Sequence, residues 1–258
     1  MSDAIFRFNI GKFECRVISD GNLPKEARGI PVTCLFVRTG EHNVMIDTGE
    51  GPGHNTTTGK LLANLKSDGI KAEDIDTVIN THAHIDHLGG NTDLEGNPNF
   101  PNARYVIYQK EWEYWQGRIK LKPGEELENE TMHIPVVRRA FTTIESRYDL
   151  VGADVDIVPG IRYAPVPGHT PGNTMVVVTS EKKQLFIVGD LLHEPAEFNQ
   201  PDLWSYWDTS PEEATRTRAE VVSRAVATKA LVFIGHFPFP GLGYIVKKNG
   251  TFAWQPFH

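Results

Sequence analysis

Thr81-His82-Ala83-His84-Ile85-Asp86-His87-Leu88-Gly89-Gly90 decides how the rest of the chain is read. Three imidazoles and one carboxylate fall within six residues, and these are the donor types that borderline divalent cations select. The stretch before them, Asp76-Thr-Val-Ile-Asn80, is short, apolar and β-branched, which predicts a buried strand. Leu88-Gly89-Gly90 then breaks the extended geometry. Donors at the C-terminal end of a buried strand stand where α/β proteins place their chemistry. A solvated, idle loop has no reason to alternate histidines with small and apolar residues in this way.

The same arrangement returns three times downstream. Pro167-Gly168-His169-Thr170-Pro171-Gly172 follows an apolar strand and fixes a rigid turn able to aim one imidazole. Gln184-Leu-Phe-Ile-Val188 runs into Gly189-Asp190, and Ala230-Leu-Val-Phe-Ile234 into Gly235-His236. Taken alone, His169 is more simply an exposed turn residue and Asp190 an Asx-turn or cap. Together, five of the ten histidines and two aspartates sit at the ends of apolar strands beside Gly or Pro. Seven donors exceed one tetrahedral ion and suit two ions sharing a bridge.

A chain of 258 residues is one large domain or two small ones, with apolar content for a real core. The net charge of −7 and the absence of any Lys/Arg run longer than a pair argue against a nucleic-acid partner. The acidic balance fits a small neutral or weakly anionic substrate. Met-Ser-Asp-Ala-Ile lacks the pattern of a secretion signal and no stretch reaches membrane-spanning length, so a soluble, cytoplasmic protein with no membrane partner is expected. Cys15 and Cys34, in β-like segments without metal-type spacing, read as two reduced core thiols.

Strands are expected at 13–18, 33–37, 43–47, 76–80, 104–108, 155–158, 161–166, 174–178, 184–188 and 230–234, with helices at 57–68, 109–118, 131–147 and 211–229. The last helix has Ser210 as N-cap, Pro211 at the first position and Glu213 completing a capping box. Its apolar face is Ala214, Val221, Val222, Ala225 and Val226. The polar stretch Lys120–Glu130 reads as an exposed loop which, with the helix after it, forms an insertion usable as a lid or as the contact of a homodimer.

His-x-His-x-Asp-His, then His169, Asp190 and His236 in that order, resembles the metallo-β-lactamase superfamily of dinuclear metallohydrolases over nearly the whole chain. The resemblance implies an α/β fold, a four-layer αββα sandwich, formed by residues 1–258 as one domain. It implies one metal on His82, His84 and His169, a second on Asp86, His87 and His236, and Asp190 bridging the two. The ions, zinc by preference with iron, manganese or cobalt compatible, would share a hydroxide as nucleophile. Asp86 would also relay a proton to the leaving alkoxide, and Asp47 in Asp47-Thr48-Gly49 would brace the site. A bridging aspartate argues against antibiotic hydrolysis, and His84 in place of Glu argues against the flavodiiron branch.

Phe100–Arg104, Glu111–Trp115, Gly189–His193 and Gly235–Gly243 resemble the branch of methyl parathion hydrolase and acyl-homoserine lactonases. The expected activity is therefore opening of lactones or related esters, with organophosphate triester or aryl ester hydrolysis as the alternative. Many such lactonases carry Tyr three residues after the bridging Asp; this chain has His193, expected to donate a hydrogen bond to the substrate or leaving group, or else to brace the site. Trp112, Trp115, Trp204 and Trp207 with Phe198, Tyr206, Phe237 and Phe239 divide between core packing and the walls of an apolar pocket for a small hydrophobic neutral substrate.

Overall fold

A computed structural model describes residues 4–24, 29–122, 124–125, 127–200 and 202–258. The chain opens with a meander, β1 (Ile5–Ile10), β2 (Phe13–Asn22), β3 (Pro31–Arg38) and β4 (Asn43–Ile46), then α1 (Leu61–Ser67), β5 (Thr77–Ile79), α2 (Ile85–Leu88) and β6 (Arg104–Tyr108). Next come α3 (Gln109–Arg118), α4 (Ile134–Thr143) and β7 (Tyr148–Val151). The second half runs β8 (Val155–Val158), β9 (Ile161–Pro165), β10 (Thr174–Ser180), β11 (Lys183–Ile187), α5 (Pro211–Thr228), β12 (Leu231–Phe233), β13 (Leu242–Lys248) and β14 (Thr251–Pro256). Among the described residues they form two seven-stranded sheets, ordered β1 to β7 and β14 to β8. Pairing is parallel from β4 to β7 and between β11 and β12, antiparallel elsewhere.

Burial on both faces explains why the central strands are continuously apolar. In β10, Val176 and Val178 face the other sheet while Met175 and Val177 face the outer helix; β11 divides Leu185 and Ile187 from Phe186 in the same way. The central layer joins Val17, Leu35, Val37, Ile46 and Val106 of one sheet to Tyr163, Val176, Ile187 and Phe233 of the other. Outside, α5 covers the second sheet through Val221, Val222 and Ala225, and α1 covers the first through Leu61 and Leu65. The result is the expected αββα sandwich.

Several boundaries moved. α1 and α4 are shorter than their apolar periodicity suggested, and β1, β7, β13, β14 and α2 were not anticipated. Ser210 is the N-cap of α5, but its side chain makes no capping hydrogen bond. The helix is started by its backbone instead: Ser210 N donates to Gly168 O at 2.9 Å and Thr209 N to His169 O at 2.9 Å. α5 thereby begins on the turn that carries His169. Gly168 (φ 134°) permits this approach, because a Cβ there would lie 2.3 Å from Ala214 Cα. Cys15 and Cys34 are buried and unbridged, as expected. Of the polar stretch before α4, Pro123 and Glu126 lie outside the described residues, and Glu130 is buried against Arg118 rather than exposed. Among the described residues, no helix is long and apolar enough to cross a membrane.

Candidate metal centre

All the donors singled out in the sequence converge at one rim of the sandwich. His82, His84, His169 and Asp190 form one group, and Asp86, His87, Asp190 and His236 a second, with the donor atoms of each group within 4.8 Å of one another. Asp190 belongs to both. Its Oδ2 lies 3.2 Å from His236 Nε2, 3.5 Å from His169 Nε2 and 3.9 Å from His82 Nε2, while Oδ1 is 3.0 Å from His87 Nε2.

The strand ends dictate this convergence. After β5 the chain turns at Thr81, whose N–H and hydroxyl both donate to Asp47, and His84 becomes the N-cap of α2. The short helix places Asp86 and His87 on the turn facing the second sheet. His169 and Asp190 follow β9 and β11, and His236 follows β12.

Partners on the far side of each ring choose the tautomer. His236 Nδ1 donates to Pro31 O at 2.8 Å, His87 Nδ1 to Asp47 at 2.8 Å and His169 Nδ1 to Asp208 at 3.1 Å. In each ring Nε2 is then the nitrogen that points inward, the pattern by which an outer partner orients a metal-binding imidazole. Asp47 thus stands where the resemblance implied. His82 Nε2 is buried without a hydrogen-bond partner, His87 Nε2 and Asp190 Oδ1 face each other at 3.0 Å, and His84 Nδ1 faces His169 Nε2 at 2.9 Å. Converging, unsatisfied lone pairs of this kind fit cations.

The electrostatics divide the histidines into two sets. Burial holds His82 and His84 well below the ordinary imidazole range. Burial also works against charge on His87 and His236, yet Asp190 leads the carboxylates that hold both above it. Asp190 itself, although buried, is kept well below the usual carboxylate range, His236 and His87 foremost among the causes. For His193, burial is outweighed by the neighbouring carboxylates of Asp190 and Glu197, which carry it up to about 10. Its Nε2 is 3.6 Å from Asp190 Oδ2 and its Nδ1 3.5 Å from Glu197 Oε1, with about a quarter of the side chain exposed.

Three residues escaped the sequence reading. Asp208 orients His169. His133 stacks on His84 (centroids 4.1 Å, 13°) and accepts the Ile85 N–H through Nδ1 at 3.1 Å. Glu111, fully buried, accepts Ala83 N at 2.9 Å and Trp115 Nε1 at 2.8 Å on one oxygen, Thr170 Oγ1 at 2.7 Å and Gly172 N at 3.0 Å on the other. It therefore ties the His82–His84 turn to the His169 turn. The one signal for it was an acid four residues before Trp115, on the apolar face of a helix. The aromatic expectation is corrected in part: Trp112, Trp115, Phe198 and Phe237 are core and Phe239 packs against it, while Trp204, Tyr206 and Trp207 are exposed. Trp207 lies edge-on to His133 at 5.7 Å, and buried Trp115 is edge-on to His84 at 5.9 Å. Pro201, in that loop, lies outside the described residues.

The profile of the metallo-beta-lactamase superfamily matches residues 27–236. This chain belongs to that superfamily. An N-acyl homoserine lactonase of Bacillus cereus is 26% identical over 233 residues, 83% of this chain and 84% of that protein. AidC, a dizinc quorum-quenching lactonase crystallised with its product, superposes with a TM-score of 0.88 at 26% identity, over 100% of this chain and 99% of that one. The hydrolase AbOPH shares the fold at a TM-score of 0.88 and 22% identity, over 100% and 99% of the two chains. Within the superfamily fold, the two donor groups sharing Asp190 make a site able to hold two divalent ions.

Proposed function

We propose that residues 1–258 form one dinuclear metal-dependent hydrolase domain that opens lactones, N-acyl homoserine lactones in particular. Asp190 carries this reading: one carboxylate facing four histidines from two donor groups is what two adjacent dications require. The first ion would be held by His82, His84 and His169, the second by Asp86, His87 and His236, both with Asp190; zinc fits the nitrogen-rich set best. When bound, such ions polarise the ester carbonyl and lower the pKa of water to about 7, supplying a nucleophile at neutral pH.

The protein's own groups do the rest. Asp47, Asp208 and the Pro31 carbonyl keep the inward nitrogens aimed. His193, held positive by Asp190 and Glu197, donates a hydrogen bond to the substrate carbonyl or the departing oxygen. Asp86, 3.4 Å from His236 Nε2, takes the proton of the attacking water and returns it to the alkoxide as the ring C–O bond breaks. Trp207 supplies apolar surface beside His133 for an acyl chain.

The test is metal analysis of the purified protein with ring-opening assays on N-hexanoyl homoserine lactone and on an aryl phosphotriester. Two ions per chain and faster turnover of the lactone are expected, with activity lost to a chelator and restored by zinc. Metal-replete protein that leaves the lactone intact would overturn the proposal.

A further inference from the structure

Behind the site, on the side away from the donors, lies a fully buried arginine. We propose that Arg218 is a positioning residue that sets two histidines at once, His169 through Asp208 and His193 through Glu197. The inference rests on the hydrolase reading above, since it gives both rings their tasks.

Arg218 projects from α5 and has no exposure to solvent. Nε donates to Leu191 O at 2.8 Å and Nη1 to Leu203 O at 2.7 Å. Nη2 stands 3.5 Å from Asp208 Oδ2 and 3.5 Å from Glu197 Oε1. One guanidinium thus reaches the residue after Asp190, the loop of exposed aromatics and both carboxylates. The opposite oxygen of Asp208, Oδ1, takes the His169 Nδ1 proton at 3.1 Å, and Glu197 Oε1 faces His193 Nδ1 at 3.5 Å. The His169 and His193 rings are neighbours, their centroids 5.3 Å apart, and both Nε2 atoms approach Asp190 Oδ2. A closed ring results, running His169, Asp208, Arg218, Glu197, His193 and Asp190.

Buried charge without a partner is expensive, so the shared cation holds each carboxylate in place. Asp208, facing His169 Nδ1, turns Nε2 toward the donors, and Glu197 faces the Nδ1 side of His193. Lysine cannot replace this role: an ammonium lacks the planar fork that meets two carbonyls and two carboxylates together.

A double-mutant cycle tests this without touching Arg218. Wild type, D208N, E197Q and D208N/E197Q are compared for ion retention against a chelator and for kcat and KM on the lactone; R218K is added beside them. D208N should release one of its two ions at a chelator concentration roughly 10–100-fold lower than wild type, and E197Q should lower kcat by about tenfold or more while keeping both ions. Because both carboxylates lean on one guanidinium, the double variant should lose less than the product of the single losses. R218K, where it folds, should show both defects together. Losses that multiply in D208N/E197Q, or an R218K enzyme with wild-type ion retention and kcat, would overturn the role of Arg218. Wild type that binds no ions or opens no lactone would instead overturn the hydrolase reading.

Discussion

Replacing Glu111 by Gln tests the link between packing and the metal centre most directly, because volume and shape are nearly conserved. In the native protein each oxygen of this fully buried carboxylate accepts two hydrogen bonds. Gln exchanges one acceptor for an NH2. Turned toward Ala83 and Trp115, that group leaves two N–H donors without an acceptor. Turned toward Thr170 and Gly172, it lets the hydroxyl rotate and accept, but the Gly172 N–H is still orphaned. A buried donor left unsatisfied costs about 1–3 kcal/mol. For a domain of this size that lowers Tm by roughly 2–12 °C. The strain falls on both turns that supply His82, His84 and His169, so the first ion should be the one released early on chelator titration. E111D keeps the charge but loses a methylene and cannot span both turns, so it should repair ion retention only partly. Thermal melts of metal-free protein and metal analysis along the titration make the measurement. An E111Q protein that melts within about 1 °C of wild type and holds both ions as tightly would refute the reasoning, since one orphaned donor already predicts more.

Further outcomes follow from the same geometry. D190N removes the charge shared by both donor groups and should reduce kcat by more than the roughly 10–100-fold typical of an outer partner, with both ions held more weakly; turnover within a few-fold of wild type would refute the bridge. H193F should lower kcat or raise KM while leaving two ions per chain, and a variant that loses metal would make His193 a brace of the ligands instead. Burial pushes His133 down to about 4, opposed by Asp86. The native ring is neutral while the unfolded one takes a proton below about 6.5. Stability supplied by this group is therefore complete above about 6.5 and falls as pH drops toward 4, by about 3 kcal/mol in all. Urea titrations of metal-free wild type and H133Q check it: equal pH slopes in the two proteins would sink the assignment.

The donors were legible in sequence because each is announced locally, by an apolar strand followed by Gly or Pro and a ligand side chain. The sandwich was legible through them, since the spacing of the four clusters resembles one superfamily. What failed was whatever depends on partners distant in the chain. Nothing near Asp208 indicates that it meets His169, and nothing near His133 indicates that it stacks on His84. α2 was hidden because four residues hold barely one helical turn, too short for a period, and because Gly89 reads as a breaker although its φ of −58° continues the helix. Ser210 misled for a related reason: the cap residue was right, but contacts of α5 with the His169 turn replaced the side-chain bond.

The two halves of the sandwich contribute unequal sets of donors. His82, His84, Asp86 and His87 come from the first sheet; His169, Asp190 and His236 come from the second. Protein bonds already cross this seam near the rim, from Thr33 Oγ1 to Gly235 O at 2.8 Å and from Thr174 N to Thr81 O at 3.0 Å. Ions seated there would rivet one sheet to the other. Each would stabilise the native state in proportion to its own affinity, so that loading the cofactor and closing the sandwich become a single linked equilibrium.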